Sequence, residues 1–227
     1  MIATRLKLYS SSIKAATASA LATACSLVIA IFPMYVVTAT SFFLSLFIIR
    51  RLDDIFDAFL DKYEPVRSFI FGKENIEGFW VDVLYSETGA IKEFGIIRIS
   101  FRQRQFNVHG DLYSDRVERI GEFWSKMTSF KGQELIFVYE RELHQAGIQK
   151  ATGLSRYVFR EAADKRFPQT FNGEFFDDHL DEKIRIEGNR VIGKEDEEIL
   201  RDGVFLKNPE TVIRIVKKYA PFAAKKL

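Results

Sequence analysis

The chain has 227 residues with 33 basic and 31 acidic side chains, and 47% of its residues are hydrophobic. This length allows one or two domains, and the apolar content excludes a disordered chain. The lone cysteine, Cys25, excludes an internal disulfide and a cysteine-based zinc site. Every charged residue in 1–51 is basic, so the rest is slightly acidic. The small excess of acidic residues after residue 51 argues against binding of DNA or RNA polymers, which requires a basic face.

The first predicted element is a membrane segment. Ala15 to Ile49 forms 35 consecutive residues without a charged side chain, flanked by basic residues on both sides. As one helix it would extend roughly 52 Å, against about 30 Å of bilayer hydrocarbon. We therefore expect a transmembrane helical hairpin in residues 1–51, with two spans and a turn near Pro33. The positive-inside rule then predicts that both ends are cytoplasmic. A cleaved signal peptide and a single tilted helix over about 26–49 stay open as alternatives.

A short helical connector is expected next, over residues 52–71. In Leu52 to Tyr63 the apolar residues recur at helical spacing, with aspartates on the rest of the turn. Such a stripe predicts packing on another domain or on a second copy. Pro65 and the cluster at 72–75 mark the end of this segment.

Beyond residue 72 the apolar pattern changes to alternation, which is typical of strands. Turn residues separate most of the runs. Eight closely spaced strands predict an antiparallel up-and-down β-barrel over residues 72–192, of a size that is either filled by side chains or holds one small ligand. The predicted strands are Gly78–Ser86, Ile91–Phe101, Gln105–Tyr113, Ile120–Phe130, Glu134–Leu143, Leu154–Glu161, Thr170–Asp177 and Lys183–Ile192.

A helical extension is expected over residues 193–227. Gly193 to Leu200 is acidic and helical in pattern, and Asn208-Pro209 is a helix start with asparagine at the N-cap and proline at N1. Its role, covering the barrel end or mediating self-association, stays open.

The alternation does not say which face of a strand is inside. In strand five, Arg141 ends a face that is otherwise apolar, and in strand six Arg156 and Arg160 share one face. A partly polar lumen, arginines facing solvent, or a register error of one residue would each explain this pattern.

No motif in the sequence demands an enzyme. The acidic residues around His179, from Asp177 to Glu182, lack the spacing of a known cation loop and are typical of a hairpin turn. The histidines show no motif that links them to a serine nucleophile. We therefore expect no catalytic residues, no metal site and no cofactor.

Several strand fragments carry a family resemblance. Gly78-Phe79-Trp80 looks like the Gly-x-Trp that opens lipocalin-like barrels, where the tryptophan plugs the closed end. With Phe106-x-Val108-x-Gly110, Trp124-Ser125, Phe137-x-Tyr139 and Phe171-x-Gly173-x-Phe175-x-Asp177, behind two expected spans, the chain resembles the bacterial CBASS effectors. These antiphage proteins have two transmembrane helices and a β-strand-rich domain that senses a cyclic nucleotide.

The resemblance implies a mechanism and partners. A partner nucleotidyltransferase would make a cyclic di- or other oligonucleotide that binds the barrel. The membrane helices would then form a homo-oligomer that disrupts the lipid bilayer of the bacterial inner membrane. By residue type, arginines would contact phosphates and aromatic rings would stack on bases. The candidates are Arg98, Tyr113, Trp124, Tyr139, Arg141, Arg156, Tyr157 and Arg160, with Trp80 as a structural plug.

The alternative function is a membrane-anchored, lipocalin-like carrier or sensor of a lipid or small apolar ligand. A mostly apolar lumen with the arginines outside would favour this alternative over the effector.

Overall fold

The computed structural model describes residues 2–29, 34–144, 149–160, 167–177, 183–203 and 208–221. It divides into two compact units, Met1–Phe71 and Gly72–Leu227. Among the described residues, the first unit is helical, and the second contains a short 3-10 helix (Gly72–Glu74), a β-barrel and two α-helices.

The first unit consists of three helices: α1 (Ile2–Ile29), α2 (Met34–Lys62) and α3 (Glu64–Phe71). α2 continues without a break into the expected connector and ends at Lys62, and α3 forms most of the remainder. The Arg67 side chain of α3 donates to the carbonyl oxygens of Leu60 and Asp61 near the end of α2. These bonds satisfy carbonyls that have no partner at a helix C-terminus and connect the two helices.

The expected transmembrane hairpin is wrong. In the described ranges, no helix combines the length and the apolar character needed to cross a bilayer. The uncharged part of α1, Ala15–Ile29, is 15 residues rich in alanine, serine and threonine, and that of α2, Met34–Ile49, is 16 residues. A span requires about 20 mostly apolar residues. The turn expected near Pro33 lies outside the described residues.

The second unit is built on a closed antiparallel barrel in which each strand pairs with its neighbours in sequence and β1 pairs with β8. The prediction of an eight-stranded up-and-down barrel is therefore confirmed. The predicted strand ends agree within two residues, except that β6 begins five residues earlier. The strands are β1 (Gly78–Tyr85), β2 (Ile91–Arg102), β3 (Gln105–Ser114), β4 (Arg119–Lys131), β5 (Glu134–Leu143), β6 (Gln149–Arg160), β7 (Thr170–Asp177) and β8 (Ile184–Arg190).

Two hairpins, β2–β3 and β4–β5, have two-residue turns, and the first turns through Gln103 and Arg104. Both residues have positive φ, 50° and 64°. Two consecutive residues of positive φ match the right-handed twist of the flanking strands in a two-residue turn. This turn fixes the register in which Arg102 pairs with Gln105, and with it which side chains of β2 and β3 point inward.

One end of the lumen is filled by aromatic side chains around Trp80 of β1. The indole is fully buried, lies 5.1 Å from the Phe159 ring and 5.5 Å from the Phe171 ring, and donates from Nε1 to the Ile76 carbonyl at 3.0 Å. The Arg190 guanidinium of β8 lies over the same indole, 5.5 Å from the ring centroid. Arg190 also donates to the carbonyls of Asn75 and Glu77, so it connects the last strand to the segment that enters β1.

The outer face of β1 to β3 is covered by two helices, α4 (Lys194–Asp202) and α5 (Pro209–Tyr219). Val81 and Val83 of β1 share a buried cluster with Val212 and Val216 of α5. The predicted start of α5 is confirmed, since the Asn208 side chain accepts from the backbone N–H groups of residues 210 and 211. On this side the barrel wall is therefore buried on both faces, and the helices pack on the outside of the wall.

Candidate functional site

A cavity lies in the lumen beyond the aromatic cluster and contains about 360 Å³ of empty space, including its opening to solvent. Strand register places its lining at the end of the barrel where β1 leads into β2 and β5 leads toward β6. The lining is mostly apolar, with five aromatic rings and a few polar groups. The aromatic residues are Phe123, Phe137, Tyr139, Tyr157 and Phe175, and the polar ones are Asp82, Glu93, Arg141 and Ser155.

Glycines at inward positions make room for these side chains. A Cβ on Gly95 would lie 2.1 Å from Asp82 Oδ1, and a Cβ on Gly153 would lie 2.3 Å from the Tyr139 hydroxyl. Each glycine pairs directly with the residue whose side chain it accommodates. The alternation of glycine and large residues around the lumen thus decides where the aromatic rings can turn inward.

Two carboxyl groups line the cavity on neighbouring strands, Asp82 on β1 and Glu93 on β2. Asp82 is 2% exposed, and its Oδ1 is buried without a hydrogen-bond partner in the described part of the chain, as is Glu93 Oε2. Burial, reinforced by the nearby Glu93 carboxyl, raises the pKa of Asp82 to about 7. Burial also raises the pKa of Glu93, although Arg141 and Lys92 oppose that rise.

The one guanidinium in the lining is paired within the barrel. Arg141 Nε of β5 lies 2.7 Å from Asp177 Oδ2 of β7, and both side chains are almost completely buried. The Tyr139 hydroxyl lies 3.5 Å from the same carboxylate oxygen. Arg141 is therefore already neutralised by a protein carboxylate.

Tyr157 forms part of the cavity floor. Its ring is stacked on Phe171, with 4.3 Å between the ring centroids. Burial raises the pKa of its hydroxyl well above the usual range, with a further contribution from Asp82. The neutral phenol thus joins the aromatic cluster at the closed end to the polar groups of the cavity.

The structure separates the eight residues expected to bind ligand into two sets. Tyr139, Arg141 and Tyr157 line the cavity together. The others lie at outward positions on the barrel wall, as strand register and burial show: Arg98, Tyr113, Trp124, Arg156 and Arg160.

The outward residues have local partners of their own. Arg98 lies over the Phe79 ring at 5.7 Å, and Arg156 is ion-paired with Glu134. Lys126 lies over the Trp124 ring at 5.5 Å. Tyr113 is buried in the cluster beneath α4 and α5, outside the lumen. The arginine pattern that the sequence left open is therefore resolved as Arg141 inside and Arg156 and Arg160 outside.

Sequence reasoning missed Asp82 and Glu93 as site residues, and it placed Asp177 at a strand end and in a turn cluster without assigning it to the site. Residues 178–182, which include His179, lie outside the described residues. The available signal for Asp82 was its position between Trp80 and Leu84, because residues two apart on a strand share a face. For Asp177 the same signal was the spacing Phe171-x-Gly173-x-Phe175-x-Asp177.

Fold and cavity together define the class of protein: an up-and-down β-barrel of eight strands whose lumen is closed by aromatic packing at one end and holds a partly polar cavity toward the other. Comparisons of the chain with protein-family models, curated proteins and solved structures found no match. Of the features expected from a resemblance to CBASS effectors, the structure confirms the β-barrel.

Proposed function

We propose that the barrel binds a small, largely apolar ligand in its lumen, as a carrier or sensor. The observation that carries the proposal is the contrast between the two ends of the lumen. The end around Trp80 is filled with side chains, whereas the other end keeps a cavity lined mainly by aromatic rings.

The placement of the arginines supports this function over binding of an anionic ligand. Arg98, Arg156 and Arg160 point away from the lumen, and Arg141 is paired with Asp177. A phosphate in the cavity would meet Asp82 and Glu93 without a free guanidinium to balance them. Binding of a cyclic oligonucleotide stays a prediction, and it forms a separate arm of the experiment below.

The proposal is tested with the purified full chain and the neutral apolar fluorophore N-phenyl-1-naphthylamine. We expect the fluorophore to bind with one site per chain, and its emission to rise as it leaves water. Cyclic di- and trinucleotides are added as competitors. If a cyclic nucleotide displaces the fluorophore and no apolar competitor does, the result would favour the nucleotide prediction instead.

Two variants on one strand locate the site. Ser155 of β6 points into the cavity and is buried, whereas its neighbour Leu154 points outward and is 44% exposed. Ser155→Phe fills the cavity and is expected to weaken fluorophore binding at least tenfold, while Leu154→Phe leaves it unchanged. Ile186→Phe is a second filling variant that keeps the site apolar and does not depend on the Ser155 hydroxyl. Equal binding by the filled and control variants would place the fluorophore elsewhere and overturn the proposal.

A further inference from the structure

The cavity lining holds more acidic than basic side chains. The carboxyl groups of Asp82 and Glu93 line it together with the guanidinium of Arg141, which is itself ion-paired with the buried Asp177. Because Arg141 lies against Asp177, the remaining carboxyls, Asp82 and Glu93, have no cationic side chain in direct contact within the described residues. Lys92 is near enough to lower the pKa of Glu93 and lies next to it in sequence, where its side chain points to the other face of β2.

The two carboxyls are placed to meet one ligand group. Asp82 pairs with Gly95 and Leu84 pairs with Glu93, so the acids are diagonal neighbours on the inner face of two adjacent strands. The partnerless oxygens Asp82 Oδ1 and Glu93 Oε2 are both buried in the cavity lining. A buried acceptor without a hydrogen bond is destabilising, and more so if it is charged, so a donor group on a ligand would relieve this destabilisation.

The rest of the lining suits a positive charge as well as an apolar body. Faces of aromatic rings attract cations through their quadrupole, and five such rings surround the cavity. The neutral hydroxyls of Tyr139 and Tyr157 can accept a hydrogen bond without adding charge.

Building on the proposed carrier or sensor function, we propose that the ligand is a small organic cation: an amine on an aromatic or aliphatic body, with its ammonium group held between Asp82 and Glu93.

This arrangement couples ligand binding to proton release. At neutral pH part of the Asp82 population holds a proton, because its pKa is raised to about 7 by burial and by Glu93. An ammonium ion pairs with the ionised carboxylate and so competes with that proton. The groups that face Asp82 and Glu93 are Tyr157 on β6, Arg141 on β5 and Asp177 on β7. Affinity for a cation is expected to fall up to tenfold per pH unit below 7.

The test uses three ligands of one shape and different charge: 2-phenylethylamine, 2-phenylethanol and 3-phenylpropanoate. Each is titrated against the full chain at pH 8 by calorimetry and by displacement of N-phenyl-1-naphthylamine. We expect the amine to bind at least tenfold more tightly than the alcohol, and the carboxylate to bind most weakly. Repeating the amine titration at pH 6 is expected to weaken its binding about tenfold, without changing that of the alcohol.

Two isosteric variants test whether the tighter binding of the amine depends on the carboxyl groups of Asp82 and Glu93. Asp82→Asn and Glu93→Gln are each expected to lower amine affinity about tenfold and to leave alcohol affinity unchanged. Glu187→Gln, on the outer face of β8 at 46% side-chain exposure, is the matched control and is expected to change neither. Unfolding curves of each variant check that the barrel is intact.

The outcomes separate the two proposals. If the alcohol binds as tightly as the amine, the cation inference is overturned and the lumen site stands. If the fluorophore binds and none of the three ligands displaces it, the cation inference is also overturned. If the fluorophore itself does not bind in the lumen, the proposed function fails, and the inference fails with it.

Discussion

Gly95 on β2 lies directly opposite Asp82 on β1, and the missing side chain at Gly95 leaves the space that the Asp82 carboxyl occupies in the lumen. A Cβ on Gly95 would lie 2.1 Å from Asp82 Oδ1 and 3.0 Å from its Cγ. The buried acid and the glycine therefore depend on each other.

Gly95→Ala is expected to destabilise the protein by about 1–3 kcal/mol, since inserting a carbon into a packed interior forces side chains to shift. The clash is with the Asp82 side chain, so Asp82→Ala is expected to remove much of that cost. A double-mutant cycle of the two substitutions, measured by urea unfolding, should give a coupling energy of about 1 kcal/mol or more. Additive effects would show that Gly95 is required for a reason unrelated to Asp82.

The Asp82 carboxyl is expected to make stability depend on pH in an unusual direction. The pKa of Asp82 in the folded protein, about 7, lies above its ordinary value of 3.8, so its stabilising contribution is fully present below pH 3.8 and is lost as pH rises through 7. Asp82→Asn removes this loss. As pH rises from 5 to 8, the free energy of unfolding of the variant should increase by on the order of 2 to 3 kcal/mol relative to that of the wild type.

The measurement is a set of urea unfolding curves for both proteins across this pH range. Asp115→Asn, in the exposed turn between β3 and β4, is the control and should run parallel to the wild type. If the stability of Asp82→Asn changed with pH in the same way as that of the wild type, ionising the Asp82 carboxyl would not destabilise the folded barrel.

Asp196 in α4 is expected to show the opposite dependence. Burial alone would raise its pKa, but Lys218, Tyr219 and Arg214 outweigh burial and lower it. The contribution of the Asp196 carboxylate to stability is therefore present above about pH 4 and is lost as pH falls through the lowered pKa. Lys218 Nζ lies 2.6 Å and the Tyr219 hydroxyl 2.8 Å from Asp196 Oδ2, so the carboxylate connects α4 to α5.

Asp196→Asn is expected to cost about 1–3 kcal/mol at pH 7, and the difference from the wild type should shrink toward pH 3. Thermal unfolding at several pH values measures this convergence. Asp202→Asn, exposed at the end of the same helix, should have little effect at any pH. A cost for Asp196→Asn that is the same at pH 3 and pH 7 would contradict the role of the charge.

Removing Arg141 is expected to leave the Asp177 carboxylate buried without its cation. Arg141→Met should destabilise the protein by about 3–5 kcal/mol, the usual cost of breaking a buried ion pair from one side. Arg141→Met combined with Asp177→Asn should recover much of that loss.

The control is Arg156→Met, which removes an arginine from an ion pair on the exposed outer wall and should change stability little. Urea unfolding compares all of these variants at one pH. Similar losses for Arg141→Met and Arg156→Met would mean that the buried pair adds nothing beyond an exposed one.

The barrel was predictable because alternation and turn residues are both local signals. Alternation alone, however, gives two faces without saying which is inside. The inward glycines supply that information: Gly153 pairs with Tyr139, which makes the face of Tyr139 and Arg141 the inner one. Asp82 and Glu93 were missed because an acid in a strand is usually solvent-facing, and only the pairing of β1 with β2 brings them together.

The membrane hairpin failed as a prediction for a different reason. The prediction of two spans rested on the absence of charged residues from Ala15 to Ile49, whereas crossing a bilayer depends on the number of apolar residues within each helix. In α1 many of the uncharged residues are alanine, serine and threonine, which contribute little transfer free energy.

The strand pairing that closes the barrel has a higher entropic cost than the other strand pairings. Seven of the eight strand pairings join consecutive strands, and their loops close at low entropic cost. The eighth, between β1 and β8, brings together segments from the two ends of the barrel sequence, such as Asp82 and Gly188. Arg190 of β8, held by the carbonyls of Asn75 and Glu77, adds its bonds at the same closure. The lumen is enclosed only when β1 and β8 pair, so the cavity depends on the strand pairing with the largest sequence separation in the barrel.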